Sequence, residues 1–102
     1  MEALLLDGTQ VSDAGLNEVA KLQTLWRLYL RGTKVTDAGM KHLSKLQNLR
    51  TLSLVNTQVS DAGLQELSGL KELKDLFLEK TQVTEAGGKS MQKSLPHITI
   101  HR

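Results

Sequence analysis

The tetrapeptide Gly87-Gly88-Lys89-Ser90 holds the residue types that end a phosphate-binding loop. Backbone amides would cradle the oxygens, the lysine would neutralise them and the hydroxyl would hold magnesium. The full motif needs a glycine five positions ahead of Gly88, and Val83 stands there. His97 and His101 could serve as metal ligands, but on a strand four residues span about 13 Å. Two imidazoles that far apart cannot share an ion bound at about 2 Å. His42 belongs on a helix, away from any strand face. A nucleophile, base and carboxylate set needs a histidine in reach of both partners, and no such arrangement is readable. With no cysteine in the chain, thiolate sites and disulfides are excluded. The expectation is therefore no catalytic residues, no metal, no cofactor, and no enzyme.

The chain has 102 residues, 39% hydrophobic and 24% charged, a composition fit for one domain with one core. A formal charge of +2 with interspersed signs gives no footprint for nucleic acid. No apolar run approaches the roughly 20 residues of a membrane-spanning helix. The stretch Met1-Glu2-Ala3-Leu4-Leu5-Leu6-Asp7 lacks the basic region and the apolar length of a signal peptide. With the missing cysteine, this suggests a cytoplasmic location.

What would position any functional side chain is a repeat. Thr9, Thr33, Thr57 and Thr81 recur at intervals of 24, as do Val11, Val35, Val59 and Val83. Asp13, Asp37, Asp61 and Glu85 form an acidic column. Gly15, Gly39, Gly63 and Gly87, and the pairs Leu4/Leu6, Leu28/Leu30, Leu52/Leu54 and Leu76/Leu78, keep the same spacing. The leucine pairs alternate as a strand does, with apolar residues inward. Ser12, Thr36, Ser60 and Thr84 are placed to cap helices. The acid that follows each faces the positive end of its own helix dipole. Apolar residues three apart, such as Leu64, Leu67 and Leu70, then line a short helix. One unit cannot bury its leucine face alone, but stacked units share a core. Strands pack about 4.8 Å apart and helices are about 10 Å wide, so strands line the inside of a curve.

This L-x-x-L-x-L-x-x-T-x-V-[ST]-[DE]-A-G-L pattern resembles the leucine-rich repeat family over essentially the whole chain. It is similar to the class common in bacterial repeat proteins and in F-box substrate receptors. The resemblance implies an α/β solenoid: a right-handed horseshoe segment, with a parallel sheet on the concave face and short helices on the convex face. It also implies a scaffold that binds proteins on the concave face. Threonine replaces the usual asparagine or cysteine, and its hydroxyls are expected to satisfy backbone groups of an adjacent turn.

The expected organisation is a single domain over 1–102, with units at about 1–24, 25–48, 49–72 and 73–94 and a terminal strand at 95–102. Met1 falls in the column of Leu25, Leu49 and Leu73, so the first unit begins in register without a capping segment. Either the chain is a piece of a longer array or a partner covers the first strand. At the other end, Leu73, Leu76 and Leu78 match Leu95, Ile98 and Ile100 at a spacing of 22, which implies a last unit two residues short. Gly88 stands in a leucine column, and Pro96, His97, His101 and Arg102 are expected guards of a closing edge.

Alternation places Leu5, Arg27, Tyr29, Arg31, Ser53, Val55, Asp75, Phe77 and Glu79 on the outward strand face, with Trp26 at its border. The central column is expected to read Leu5, Tyr29, Ser53, Phe77, Thr99, with His101 next to Thr99 on the same outward face. Aromatics and arginines are enriched at protein interfaces, so these ten residues, Thr99 and His101 aside, form the candidate site for a protein or peptide. The other reading is a structural one: a self-assembling unit or array fragment with no ligand of its own. Arg27 and Arg31 face Asp75 and Glu79 across a small, neutral third unit, which would suit an isologous dimer. Dimerisation through the concave face or the uncapped first edge, with no nucleic acid or membrane partner, completes the expectations.

Overall fold

The structure is a computed structural model that describes residues 2–102; the expected column position of Met1 lies outside them. Strands and helices alternate: β1 (Glu2–Leu5), α1 (Asp13–Val19), β2 (Leu25–Tyr29), α2 (Asp37–Leu43), β3 (Thr51–Ser53), α3 (Asp61–Gln65), β4 (Asp75–Phe77), α4 (Glu85–Ser94) and β5 (Thr99–His101). The five strands form one open parallel sheet in sequence order. Each helix packs on the next, so the second layer follows the same order. Between the layers lie the inward leucines: Leu28, Leu30, Leu52, Leu54 and Leu76 are fully buried, with Met40, Leu43, Leu46 and Leu67 opposite them. A second, shorter ladder runs just ahead of the helices, where the amides of Lys34, Gln58 and Gln82 donate to the carbonyls of Val11, Val35 and Val59.

The threonine column acts inside its own unit rather than across units. Thr9, Thr33, Thr57 and Thr81 each donate their hydroxyl at 2.7 Å to the carbonyl three residues back. That closes the turn leaving each strand. Residues Gly8, Gly32, Asn56 and Lys80, again 24 apart, hold the same turn with φ between 56° and 71°. Glycine and asparagine tolerate this left-handed region, whereas a lysine there costs about 1–2 kcal/mol. Lys80→Gly should raise unfolding stability by about 1 kcal/mol, after allowing for glycine's greater freedom in the unfolded chain. A higher urea midpoint is the expected readout, and a lower one would contradict the strain.

The last unit differs from the expectation. β5 pairs Asp75 with Thr99, Leu76 with Ile100 and Phe77 with His101, so the spacing stays 24. The apolar match at 22 misled because α4 is 10 residues long, against five or seven in the other helices. The extra length carries Leu95 to the helix end, and Leu95 and Ile98 are buried in the turn ahead of the strand. His101, not Thr99, therefore takes the central outward column.

Candidate functional site

The pairing register lines the outward side chains into columns. One column reads Ala3, Arg27, Thr51, Asp75 and Thr99. The next reads Leu5, Tyr29, Ser53, Phe77 and His101. Beyond the strand ends the ladder continues, as Gly8, Gly32 and Asn56 donate their amides to the carbonyls of Arg31, Val55 and Glu79. These positions are fixed by backbone pairing, so the face is rigid where it presents side chains.

The candidate residues divide into groups. Tyr29, Arg31, Ser53, Val55, Phe77 and Glu79 line one hollow of about 370 Å³, together with Asp7 and Lys80. Ser53 was expected to stand out from the face. Instead it is only 6% exposed and forms the floor between larger side chains on the flanking strands. Tyr29 and Phe77 are half-buried walls on either side. Trp26 and Arg27 lie apart, around a second hollow of about 270 Å³ shared with Glu2 and Ala3. The Arg50 guanidinium stacks 4.2 Å above the Trp26 ring and reaches Glu72 at 3.5 Å, so the protein itself occupies one indole face. Leu5 stands on the outermost strand, 69% exposed, and lines neither hollow. Asp75 turns its carboxylate to His101 Nε2 at 3.5 Å.

Three residues that the sequence reading left out of the site belong to it or support it. His101 stacks on Phe77 with ring centroids 4.2 Å apart and planes 9° from parallel, which fixes the Phe77 wall. The period of 24 counted from Phe77 places His101 in that column, and the apolar match at 22 put Thr99 there instead. Asp7 accepts from the Arg31 amide at 2.8 Å and closes one end of the hollow, and Lys80 closes the other. Glu79 Oε1 is shielded from solvent and has no hydrogen-bond partner among the described residues. A shielded carboxylate oxygen without a donor is uncommon in folded proteins.

The acidic column has a different role from the one expected. Each aspartate reaches the following unit rather than its own helix start. Asp13, Asp37 and Asp61 accept from the amides of Thr36, Ser60 and Thr84 at 2.7, 2.7 and 2.8 Å, and from their hydroxyls as well. The hydroxyls of Thr36 and Thr84 also cap their helices, whereas Ser12 and Ser60 make no side-chain cap bond among the described residues. The Thr84 hydroxyl, then its amide, hold the Asp61 carboxyl below the usual carboxylate range, and Arg102 adds to this. The glycine column follows from the same contact. A Cβ on Gly39, Gly63 or Gly87 would fall on the carboxylate of the preceding aspartate. Acid and glycine together make a joint that locks each unit to the next and keeps the columns aligned.

A leucine-rich repeat model matches residues 45–68, one period of the chain. Over those residues the chain matches a leucine-rich repeat, and its fold is that of a leucine-rich repeat solenoid. The remaining units carry the same columns, and the structure repeats the same strand, turn and helix. Among solved structures, a leucine-rich repeat protein of Leptospira interrogans superposes over all of this chain with a TM-score of 0.78 and 24% identity. The chain spans 25% of that protein's length, and the likeness establishes the fold. No curated protein sequence matches the chain.

Proposed function

We propose that this leucine-rich repeat chain is a recognition module that takes a segment of another protein into the hollow between Tyr29 and Phe77. Leucine-rich repeats are commonly protein–protein interaction modules and form a non-enzymatic fold. One observation carries the finer reading. Small Ser53 lies between two aromatic walls, leaving an open hollow edged by Arg31 and Glu79. Aromatic walls supply contact area at low entropic cost, and the charged side chains at the edge favour a ligand of complementary charge. Arg31 offers the opposite charge on the tyrosine side. Leu5, Trp26, Arg27 and Asp75 would form the rim of the contact.

The test is an affinity capture compared between the native chain and a Tyr29→Ala/Phe77→Ala double variant. Both side chains are only half-buried, so the fold should survive, with an unchanged circular dichroism spectrum. The variant should bind a captured partner at least about 100-fold more weakly, the size of two interface hot spots. Equal binding by both proteins would remove the hollow from the reading.

The charge pattern favours a second reading in which the partner is another copy. Arg27 and Arg31 lie on the second unit and Asp75 and Glu79 on the fourth, two strand spacings or about 10 Å away. A two-fold axis through β3 would pair them. Sedimentation at high concentration separates the readings: a dimer dispersed by salt supports this one, and a monomer removes it.

A further inference from the structure

We infer that the hollow is the deepest part of a trough along β3, shaped and charged for one extended segment of another protein with acids on one edge and bases on the other. The inference rests on the reading of the hollow as a protein-binding site, and adds to it the conformation and residue pattern of the ligand.

The two walls carry the argument. The second unit supplies Arg27, Tyr29 and Arg31, and the fourth supplies Asp75, Phe77 and Glu79. Each wall is a charge, a ring and a charge, and the walls differ in sign. Between them stand Thr51, Ser53 and Val55, which are small and uncharged. Pairing sets Thr51 level with Arg27 and Asp75, and Ser53 level with Tyr29 and Phe77. The bonds from Gly32 to Val55 and from Asn56 to Glu79 carry the same register past the strand ends. Arg27, Arg31 and Glu79 make no ion pair among the described residues, while Asp75 shares its carboxylate with His101. Behind the walls stand Asp7, past Arg31, and Lys80, next after Glu79. Together with the four wall charges they cancel, so a ligand is selected by the pattern of charge and not by its net value.

The width selects an extended chain. β2 and β4 lie two strand spacings, or about 10 Å, apart. Phe77 stacks face to face on His101 from the next strand, which turns its other face to the trough. A ring is about 3.5 Å thick by van der Waals contact, so about 6 Å remains above Ser53. A helix with its side chains is about 10–12 Å wide and would ride on the rings. An extended backbone needs about 4.8 Å. Its side chains lean alternately to one wall and the other, at the same two-residue step as the wall residues. An acid, an apolar residue and an acid then meet Arg27, Tyr29 and Arg31. A base, an apolar residue and a base meet Asp75, Phe77 and Glu79. Interleaved, the ligand reads acid, base, apolar, apolar, acid, base, and in the opposite chain direction base, acid, apolar, apolar, base, acid. A second copy of the chain fits less well. A two-fold axis through β3 sets the aromatic wall of one copy against that of the other and leaves Ser53 uncovered.

The test titrates the 102-residue chain by calorimetry with two capped hexapeptides of one composition, up to about 1 mM. The first runs glutamate, lysine, valine, valine, glutamate, lysine. The second has both glutamates at one end and both lysines at the other, which sets one like-charge contact at each end of the trough. The first should bind at least about 10-fold more tightly. Ser53→Leu, which fills the floor and leaves every charge in place, should weaken it at least about 10-fold with an unchanged circular dichroism spectrum. Asp75→Lys/Glu79→Lys should weaken it likewise, and should strengthen binding of a hexapeptide with glutamate at all four charged positions. Equal binding of the first two peptides, or no binding of either, would overturn the inference. So would a dimer of the chain that the first peptide cannot disperse, since a second copy would then hold the trough. In each of these cases the protein-binding reading stands if a captured partner still depends on Tyr29 and Phe77, and falls if it does not.

Discussion

Gly63→Ala is expected to lower the unfolding free energy by about 3 kcal/mol or more, although alanine is the better helix former by about 1 kcal/mol. A Cβ at this position would overlap the Asp37 carboxylate and approach the Asp37 Cα at 3.0 Å. The second contact is main chain, so no rotamer change relieves it. Either the helices move apart, which opens the core around Leu64 and Met40, or Asp37 leaves its bonds to Ser60. Overpacking alone costs about 1–3 kcal/mol, and stranding the Ser60 donors adds to it. With a total stability of about 5–10 kcal/mol for a chain this size, the loss is a large fraction. Urea unfolding should show the midpoint falling steeply; a neutral or stabilising result would mean the units are not packed as described.

Asp37→Ala is the second large effect, at about 3 kcal/mol. It removes an ionised acceptor from two donors, the Ser60 amide and hydroxyl, and bonds to charged groups are worth about 1.5–3 kcal/mol each. Glu85→Ala gives the contrast. Glu85 stands in the same column, yet its carboxylate is exposed and meets only Lys89 on its own helix. Its loss should cost no more than about 0.5 kcal/mol, as for other exposed helical pairs. Paired urea titrations of the two variants check this. If the acids acted mainly on their own helix dipoles, as the sequence alone suggests, both substitutions would cost similar small amounts.

That contrast marks what the sequence made legible. The period of 24, the inward leucines and the outward placement of Tyr29 and Phe77 all follow from alternation, because burial by stacking leaves few choices. Parallel pairing in sequence order follows from the same stacking. The role of the acid column did not follow, since a carboxylate at a helix start has a sufficient local reason to be there. The clue was the companion glycine. A glycine repeated inside short helices costs each of them about 1 kcal/mol, and at Gly39, Gly63 and Gly87 the aspartate of the preceding unit pressing on that position accounts for it. The left-handed turn was half visible in Gly8, Gly32 and Asn56, and Lys80 hid the fourth member. The floor position of Ser53 depends on the sizes of its neighbours across the sheet, and the shielded Glu79 oxygen needed coordinates outright. His101 was expected on the outward face but one column too far along, because matching leucine and isoleucine types outweighed counting the period.

The hollow can hold its shape only if the unit-to-unit joints keep the strand columns in register. A double-mutant cycle on Asp61 and Gly87 measures one joint directly, because the three atoms nearest a Cβ on Gly87 all belong to the Asp61 carboxyl group. Asp61→Ala and Gly87→Ala should each destabilise the chain, and the double variant should cost less than the two together by about 2 kcal/mol. Additive losses, within about 0.5 kcal/mol, would show that the carboxylate does not occupy the notch and would contradict the joint on which the site depends.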